Sequence, residues 1–208
     1  PGMTTFETEC NGIHARWDIG VAPDDQVEVW RVRLTNRSGR ARNLRLGAFL
    51  EWCCGSAPDI KREFHRLFFT TRDDREHNAV VATKNMWEAP FGTVDDHWNR
   101  PWPHAVALAI GGDTGPTWRT SDKSDFFGRY GDPARPAAMH APVEGRFGRF
   151  VDACAGSGTD IELSADETRT ICFAIAIADD TQAVGELGAR FSQPANADAA
   201  LDGAIKLW

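Results

Sequence analysis

Two irregular stretches of the sequence gather side chains able to do chemistry. The first is NMWEAPFGTVDDHWNRPWPH, Asn85 to His104. It holds Trp87, Trp98 and Trp102, three of the chain's eight tryptophans, with Glu88, Asp95, Asp96, His97 and His104. Indole faces can stack on pyranose rings while an acid such as Asp96 takes hydrogen bonds from sugar hydroxyls. The same tryptophans equally suit packing at a domain or subunit interface, where Trp is enriched. The second stretch is TSDKSDFFGRYGDPARPAAM, Thr120 to Met139, which sets Asp122, Asp125, Phe126, Gly128 and Arg129 close together. Arg129 can grip a phosphate or a carboxylate in bidentate fashion, or pair with Asp122 or Asp125 to hold its own loop. Acid–base chemistry on a glycosidic bond needs two carboxyl groups in one pocket with separated pKa values. Loop aspartates more often cap turns.

Other chemistries find little support. His97 and His104 lie seven apart near Asp95 and Asp96, but the intervening prolines and irregular spacing match no usual ligand pattern, so no metal site is expected. There is no GxSxG, no HExxH and no glycine-rich phosphate loop after a strand. The five cysteines, Cys10, Cys53, Cys54, Cys154 and Cys172, contain no CxxC and are expected to be reduced and unlinked. A formal net charge of -7 argues against a broad nucleic-acid or membrane surface. No run of about 18 apolar residues offers a membrane span. Basic residues do cluster in RVRLTNRSGRARNLR, Arg31 to Arg45, and their alternation reads as the solvent face of two strands.

The elements that must position these loops are mostly strands. TTFETEC alternates, runs into the Asn11-Gly12 hairpin signal and continues as IHARWDIGV. In QVEVWRVRLTN, Val27, Val29, Arg31, Arg33 and Thr35 share one face, and Glu28, Trp30, Val32 and Leu34 the other. RNLRLGAFLEWCC, EFHRLFFTT, NAVVATKN, HAVALAIGG and PTWRTSD supply further strands. GRFVDACAG and GTDIELSADETRTICFAIAIADD supply two or three more. Helical spacing appears at Val184, Leu187 and Phe191, and again at Ala200, Leu201, Ala204 and Leu207. The expected architecture is mainly β, a large antiparallel β-sandwich over residues 1–178 with a short helical segment over 179–208. The helix ending on apolar Leu207-Trp208 suggests part of a longer protein.

A more specific signal joins these pieces. VEVWRVRLTNRSGRARNLRLGAFLEW, then FHRLFFTT, then SDKSDFFGRYGDPARPAAM resembles the N-terminal β-sandwich, or supersandwich, domain of glycoside hydrolase family 94. The matching residues are Glu51-Trp52, Phe64, Leu67, Asp122, Phe126, Gly128 and Arg129. That family holds the cellobiose, chitobiose and cellobionic acid phosphorylases and related modules of cyclic β-1,2-glucan synthases. The resemblance implies an (α/α)6 catalytic barrel following in the same chain, reached through residues 179–208 as a helical linker. In that barrel an Asp is the general acid, and inorganic phosphate displaces the sugar with inversion, with no metal or organic cofactor. It implies a β-linked disaccharide or sugar acid as substrate, a cytoplasmic enzyme and a homodimer. It leaves the present domain noncatalytic. Trp87, Trp98, Trp102, Asp96, Asp122, Phe126, Gly128 and Arg129 then become the residues expected to face substrate or barrel. The Trp-rich stretch favours a phosphorylase over a synthase module. A free carbohydrate-binding sandwich, and a hydrolase or lyase using loop carboxylates, are the competing readings.

Overall fold

The computed structural model describes residues 2–55, 66–86, 101–149 and 151–207. The first strands are β1 (Met3–Cys10), β2 (Ile13–Val21), β3 (Val27–Asn36) and β4 (Arg42–Glu51). They are followed by β5 (Phe69–Asp74), β6 (Ala79–Lys84), β7 (Ala105–Gly112) and β8 (Trp118–Asp122). A short helix α1 (Lys123–Phe127) comes next, then β9 (Ala153–Leu163) and β10 (Thr168–Ala178), then α2 (Thr181–Phe191) and α3 (Pro194–Leu207). A seven-stranded antiparallel sheet runs in the order β1-β2-β3-β10-β7-β6-β5. A three-stranded sheet of order β4-β9-β8 packs on it.

Local sequence explains the joints. Asn11 and Gly12 take φ of 51° and 74°, the left-handed pair that a two-residue hairpin turn demands. The chain crosses between sheets after β3, and again between β9 and β10. Asn36, fully buried, ties both crossings together. Its amide nitrogen donates to the carbonyls of Arg40, Leu163 and Ser164, and its oxygen accepts from the backbone N–H of Ser38.

The main core lies between the sheets, with Val32, Leu34, Leu108, Ile110, Ile171 and Phe173 from the large sheet meeting Ala48, Ala155, Ile161 and Leu163 from the small one. A second core forms on the opposite face of the large sheet. There Val27, Val29, Ala107, Ala109, Cys172 and Ala174 pack with Val184 and Phe191 of α2 and Ala197 and Ala200 of α3. Small residues on β7 and β10 let the helices approach closely. Asp180 caps α2, its carboxylate accepting from the N–H groups of Gln182 and Ala183. The stretch expected as a helical segment is therefore packed as a layer on the sandwich.

One expectation is narrowed and one corrected. GRFVDACAG and GTDIELSADETRTICFAIAIADD, expected to supply two or three strands, supply two, because Gly156 and Gly158 lie inside the unbroken β9. The basic face of β3 is only partly solvated, with Arg33 40% exposed at its side chain. Arg31 is largely buried, and with Arg16 and Arg33 it converges on Asp18, which is inaccessible to solvent. Arg31 also pairs with Asp198 of α3, so the cluster latches helix to sheet.

All five thiols are free. Cys154 and Cys172 are buried, Cys54 is half-buried, and Cys10 and Cys53 are exposed. Burial pushes the Cys54 and Cys172 thiols up to about 12 and raises that of Cys154 as well. The expected result with a thiol reagent at neutral pH is two fast equivalents from the native chain and five after denaturation without reductant. A denatured count of three or one would reveal a disulfide.

Candidate functional site

Of the two predicted functional stretches, Thr120 to Met139 lies wholly within the described residues; in the structure the excursion it opens runs from Asp122 on to Phe147, and three strand glycines prepare its seat. On the outer face of the small sheet, Gly47, Gly156 and Gly158 replace side chains with flat backbone. A Cβ on Gly158 would stand 2.2 Å from Cζ2 of Trp118 and 2.4 Å from the Leu46 carbonyl. A Cβ on Gly156 would stand 2.7 Å from Cδ2 of Phe126. The indole of Trp118 and the ring of Phe126 fill that room. With Ala138 they form a third core, against which Phe49, Phe127, Met139 and Val143 pack. Phe49 and Phe126 have ring centroids 4.6 Å apart, and Phe126 is 4% exposed. Phe126 thus anchors the loop by packing.

The carboxylates are engaged in structure. Asp122 caps α1, accepting from both the N–H and the hydroxyl of Ser124 at 2.8 Å. Asp125 accepts from the N–H groups of Glu144 and Gly145 at 3.0 Å, clamping the far end of the excursion to α1. Burial pushes the Asp125 carboxyl up. Hydrogen bonds from the Thr120 hydroxyl and from the backbone N–H groups of Glu144, Gly145 and Arg146 outweigh that effect and hold it below the usual range. A carboxylate so held is a poor general acid. Arg45 secures the other side, pairing with Asp160 while donating to the carbonyls of Ala138 and Ala141.

Gly128 ends α1 at φ 88°, ψ 161°, a conformation that only glycine adopts readily. The turn throws Arg129 and Tyr130 outward. Among the described residues no carboxylate pairs with Arg129; its guanidinium lies 5.4 Å from the ring centre of Tyr130. Tyr130, the chain's single tyrosine, is 94% exposed at a left-handed φ of 59°. A bulky residue in that conformation carries strain of about 1 kcal/mol. The loop is rigid below and presents a strained, solvated Arg–Tyr pair above, a composition typical of interface hot spots.

The second predicted loop is only partly visible. Trp87, Asp96 and Trp98, like Glu88, Asp95 and His97, lie outside the described residues. Trp102 is half-buried, packs against the main core and stands edge-on to His104 with ring centres 5.2 Å apart. Its backbone N–H donates to the carbonyl of Lys84 at 2.9 Å. The buried Lys84 ammonium in turn donates to the carbonyls of Cys53 and Cys54. Trp102 and the Arg129 loop sit on different parts of the sandwich: Trp102 adjoins β6, and the loop covers β4, β9 and β8. No group of three or more potential metal ligands occurs among the described residues. No described helix is long and apolar enough to cross a membrane.

Sequence reasoning singled out Phe126, Gly128 and Arg129 in this loop, though Phe126 is buried in the third core and faces no partner; it did not mark Tyr130, the clamp made by Asp125, or Arg45. The nearest available signal was the Gly156-Ser157-Gly158 run, whose glycines make room for the aromatic rings.

Comparison with known proteins decides the family. The model of the glycosyl hydrolase 94 supersandwich domain matches residues 1–194. The chain belongs to glycosyl hydrolase family 94. The supersandwich domain is 28% identical over 156 residues to a solabiose phosphorylase from Paenibacillus borealis, a match covering 74% of this chain and 18% of the phosphorylase. Among solved structures, a putative kojibiose phosphorylase from the human microbiome aligns with TM-score 0.48 and 8% identity, over 99% of this chain and 22% of that one. A polysaccharide lyase aligns with TM-score 0.43 and 8% identity, over 86% and 22%. The supersandwich domain therefore spans about a fifth of the length of the proteins it matches.

Proposed function

We propose that this supersandwich is the noncatalytic N-terminal domain of an inverting disaccharide phosphorylase. The observation that carries this reading is the family match over residues 1–194, together with a curated phosphorylase in which the matched segment is 18% of the length. The structural use of Asp122 and Asp125, which cap α1 and clamp the loop, supports it too. In the proposed parent enzyme the (α/α)6 barrel of the same chain carries the chemistry. Inorganic phosphate attacks the anomeric carbon of a β-linked disaccharide or sugar acid, the glycosidic bond breaks, and an Asp of the barrel protonates the leaving oxygen. The reaction uses no metal or organic cofactor and takes place in the cytoplasm.

Within that scheme the supersandwich supplies surface. The Arg129–Tyr130 tip, held by Phe126, Gly128, Asp122 and Asp125, faces the barrel. Arg129 reaches a carboxylate or bound phosphate there. Trp87, Trp98 and Trp102 with Asp96 form a separate contact, to sugar or to barrel.

The test is phosphate-dependent cleavage of a panel of β-linked disaccharides and sugar acids. Sugar 1-phosphate is expected from the full-length protein and none from residues 1–208. Turnover by the 208-residue chain alone would overturn the noncatalytic assignment. Sugar binding by that chain, with no phosphorolysis by the longer protein, would favour a free carbohydrate-binding module. Arg129→Ala in the full-length enzyme is expected to change the melting free energy by less than about 0.5 kcal/mol, as exposed substitutions do, while lowering kcat/KM about tenfold or more.

A further inference from the structure

The corner that follows β4 carries two consecutive cysteines, Cys53 and Cys54. In a strand, successive side chains and successive carbonyls point to opposite sides. Here that alternation is broken. Cys54 takes a left-handed φ of 43°, uncommon for any residue but glycine, and Gly55 follows at φ 135°. The carbonyls of Cys53 and Cys54 turn the same way, and both accept from the Lys84 ammonium at 3.0 Å. Lys84 is 2% exposed, so the dipeptide is folded around a fixed, buried charge. Upstream, the indole N–H of buried Trp52 donates to the Cys154 carbonyl at 3.0 Å and holds the end of β4.

The two thiols differ in access. Cys53 is exposed, while Cys54 is half-buried and packs against the main core. Burial pushes the Cys54 thiol up to about 12, against the pull of the Lys84 charge and with a smaller push from Cys53. An oxidant in solution therefore meets Cys53 first, with Cys54 directly behind it as the resolving thiol. The other thiols suit the role less. Cys154 and Cys172 are buried, and Cys10 ends β1 with no cysteine beside it in sequence.

We propose that Cys53 and Cys54 form a reversible two-electron oxidation site, closing a disulfide between adjacent residues in the presence of a small disulfide such as oxidised glutathione. The Cys53 thiolate attacks one glutathione sulfur, a mixed disulfide forms, and the other glutathione leaves as its thiolate. The Cys54 thiol gives its proton to solvent and its sulfur attacks that of Cys53. The bond to the second glutathione then breaks. Two protein thiols are oxidised and one glutathione disulfide is reduced to two thiols. Adjacent Cα atoms stand about 3.8 Å apart across a trans peptide, short of the roughly 4.4–6.8 Å of ordinary disulfides. The bond is therefore strained and easily reduced, as regulatory disulfides are. Closing it turns the peptide between the two residues and draws a carbonyl away from Lys84. The backbone carbonyl of that lysine receives the backbone N–H of Trp102, so the Trp-rich stretch is docked at the corner that oxidation moves. The inference does not depend on the phosphorylase assignment.

Mass spectrometry of the 208-residue chain carrying Cys10→Ser tests it. The native protein is incubated with excess oxidised glutathione, quenched in acid and digested with trypsin. Both cysteines fall in the one peptide of residues 46–61. That peptide is expected to lose two hydrogens and to regain them with dithiothreitol. Adding Cys54→Ser should stop the reaction at one glutathione on Cys53. Adding Cys53→Ser should slow all reaction in this peptide about tenfold or more. Hydrogen exchange at the Trp102 amide should quicken on oxidation. A chain that retains glutathione on Cys53, links Cys53 between two molecules or bridges to Cys154 would overturn the proposal. Unchanged exchange at Trp102 in the oxidised chain would overturn the coupling to the Trp-rich stretch.

Discussion

Replacing Asp18 by asparagine is expected to destabilise the domain by about 3–5 kcal/mol, because one partner of a buried charge network is lost while the others remain. Asp18 has no solvent exposure. It accepts from the Thr5 hydroxyl at 2.7 Å, from Arg16 at 3.0 Å and from Arg31 at 2.8 Å, and it lies 3.3 Å from Arg33. The amide keeps the shape but leaves three guanidinium groups facing a neutral side chain. For a chain of this length the melting temperature should fall by roughly 10 °C. The same group gives a pH signature. Burial pushes the Asp18 carboxyl up, but the bonds from Thr5, Arg31 and Arg16 bring it down to about 2. Because the folded value lies below the unfolded one, its contribution is complete above the unfolded pKa of about 3.9 and is lost as pH falls toward about 2. The wild-type melting temperature should therefore drop across that acid window, and Asp18→Asn should drop less. Equal acid sensitivity in both proteins, or a loss under about 1 kcal/mol at neutral pH, would refute this account.

Phe126→Ala is expected to cost about 3–5 kcal/mol, the usual range for emptying a buried aromatic site. The loss should be uneven. Phe126 belongs to the small third core and contributes nothing to the main core between the sheets. Native-state hydrogen exchange should show the amides held by the Asp125 clamp, Glu144 and Gly145, opening far more readily. Amides in the centre of β10 should keep protection set by global unfolding. Uniform loss across both regions would mean that the excursion and the sandwich are a single cooperative unit. In the proposed parent enzyme the same variant should lower activity further than its stability loss explains, since Arg129 and Tyr130 lose their platform.

Much of this architecture was readable from residue patterns, and the failures have physical causes. The period-two alternation of β3 correctly separated Val27 and Val29 from Trp30, Val32 and Leu34. Alternation could not say that the first face would be roofed by α2 and α3, so its arginines looked solvated. The buried ion cluster depends on Asp18, thirteen residues before Arg31 and placed opposite it only when β2 and β3 pair. Glycine usually interrupts strands, which left open whether β9 was one segment or two. Its real reason is a contact with Trp118 and Phe126, distant in sequence. At the candidate site, the turn chemistry of Asp122 and Gly128 was local and therefore legible. The exposure of Tyr130 and the pairing of Asp125 with the backbone of Glu144 were set by tertiary packing and could not be read locally.

The position of β10 bears on how the chain acquires its structure. It is the last strand in sequence, yet it lies between β3 and β7 at the middle of the large sheet. Its partners on β3, such as Thr35 for Thr168 and Val27 for Ala176, are more than 130 residues away. Closing so long a loop is entropically costly and slows folding, which places this domain among the slow, high-contact-order topologies. On the ribosome, β1–β3 and β5–β7 must wait as two separate half-sheets until residue 178 emerges. Their edges beside the vacant central position are open throughout that interval, and these, more than the mature surface, are where misassembly between nascent chains should begin.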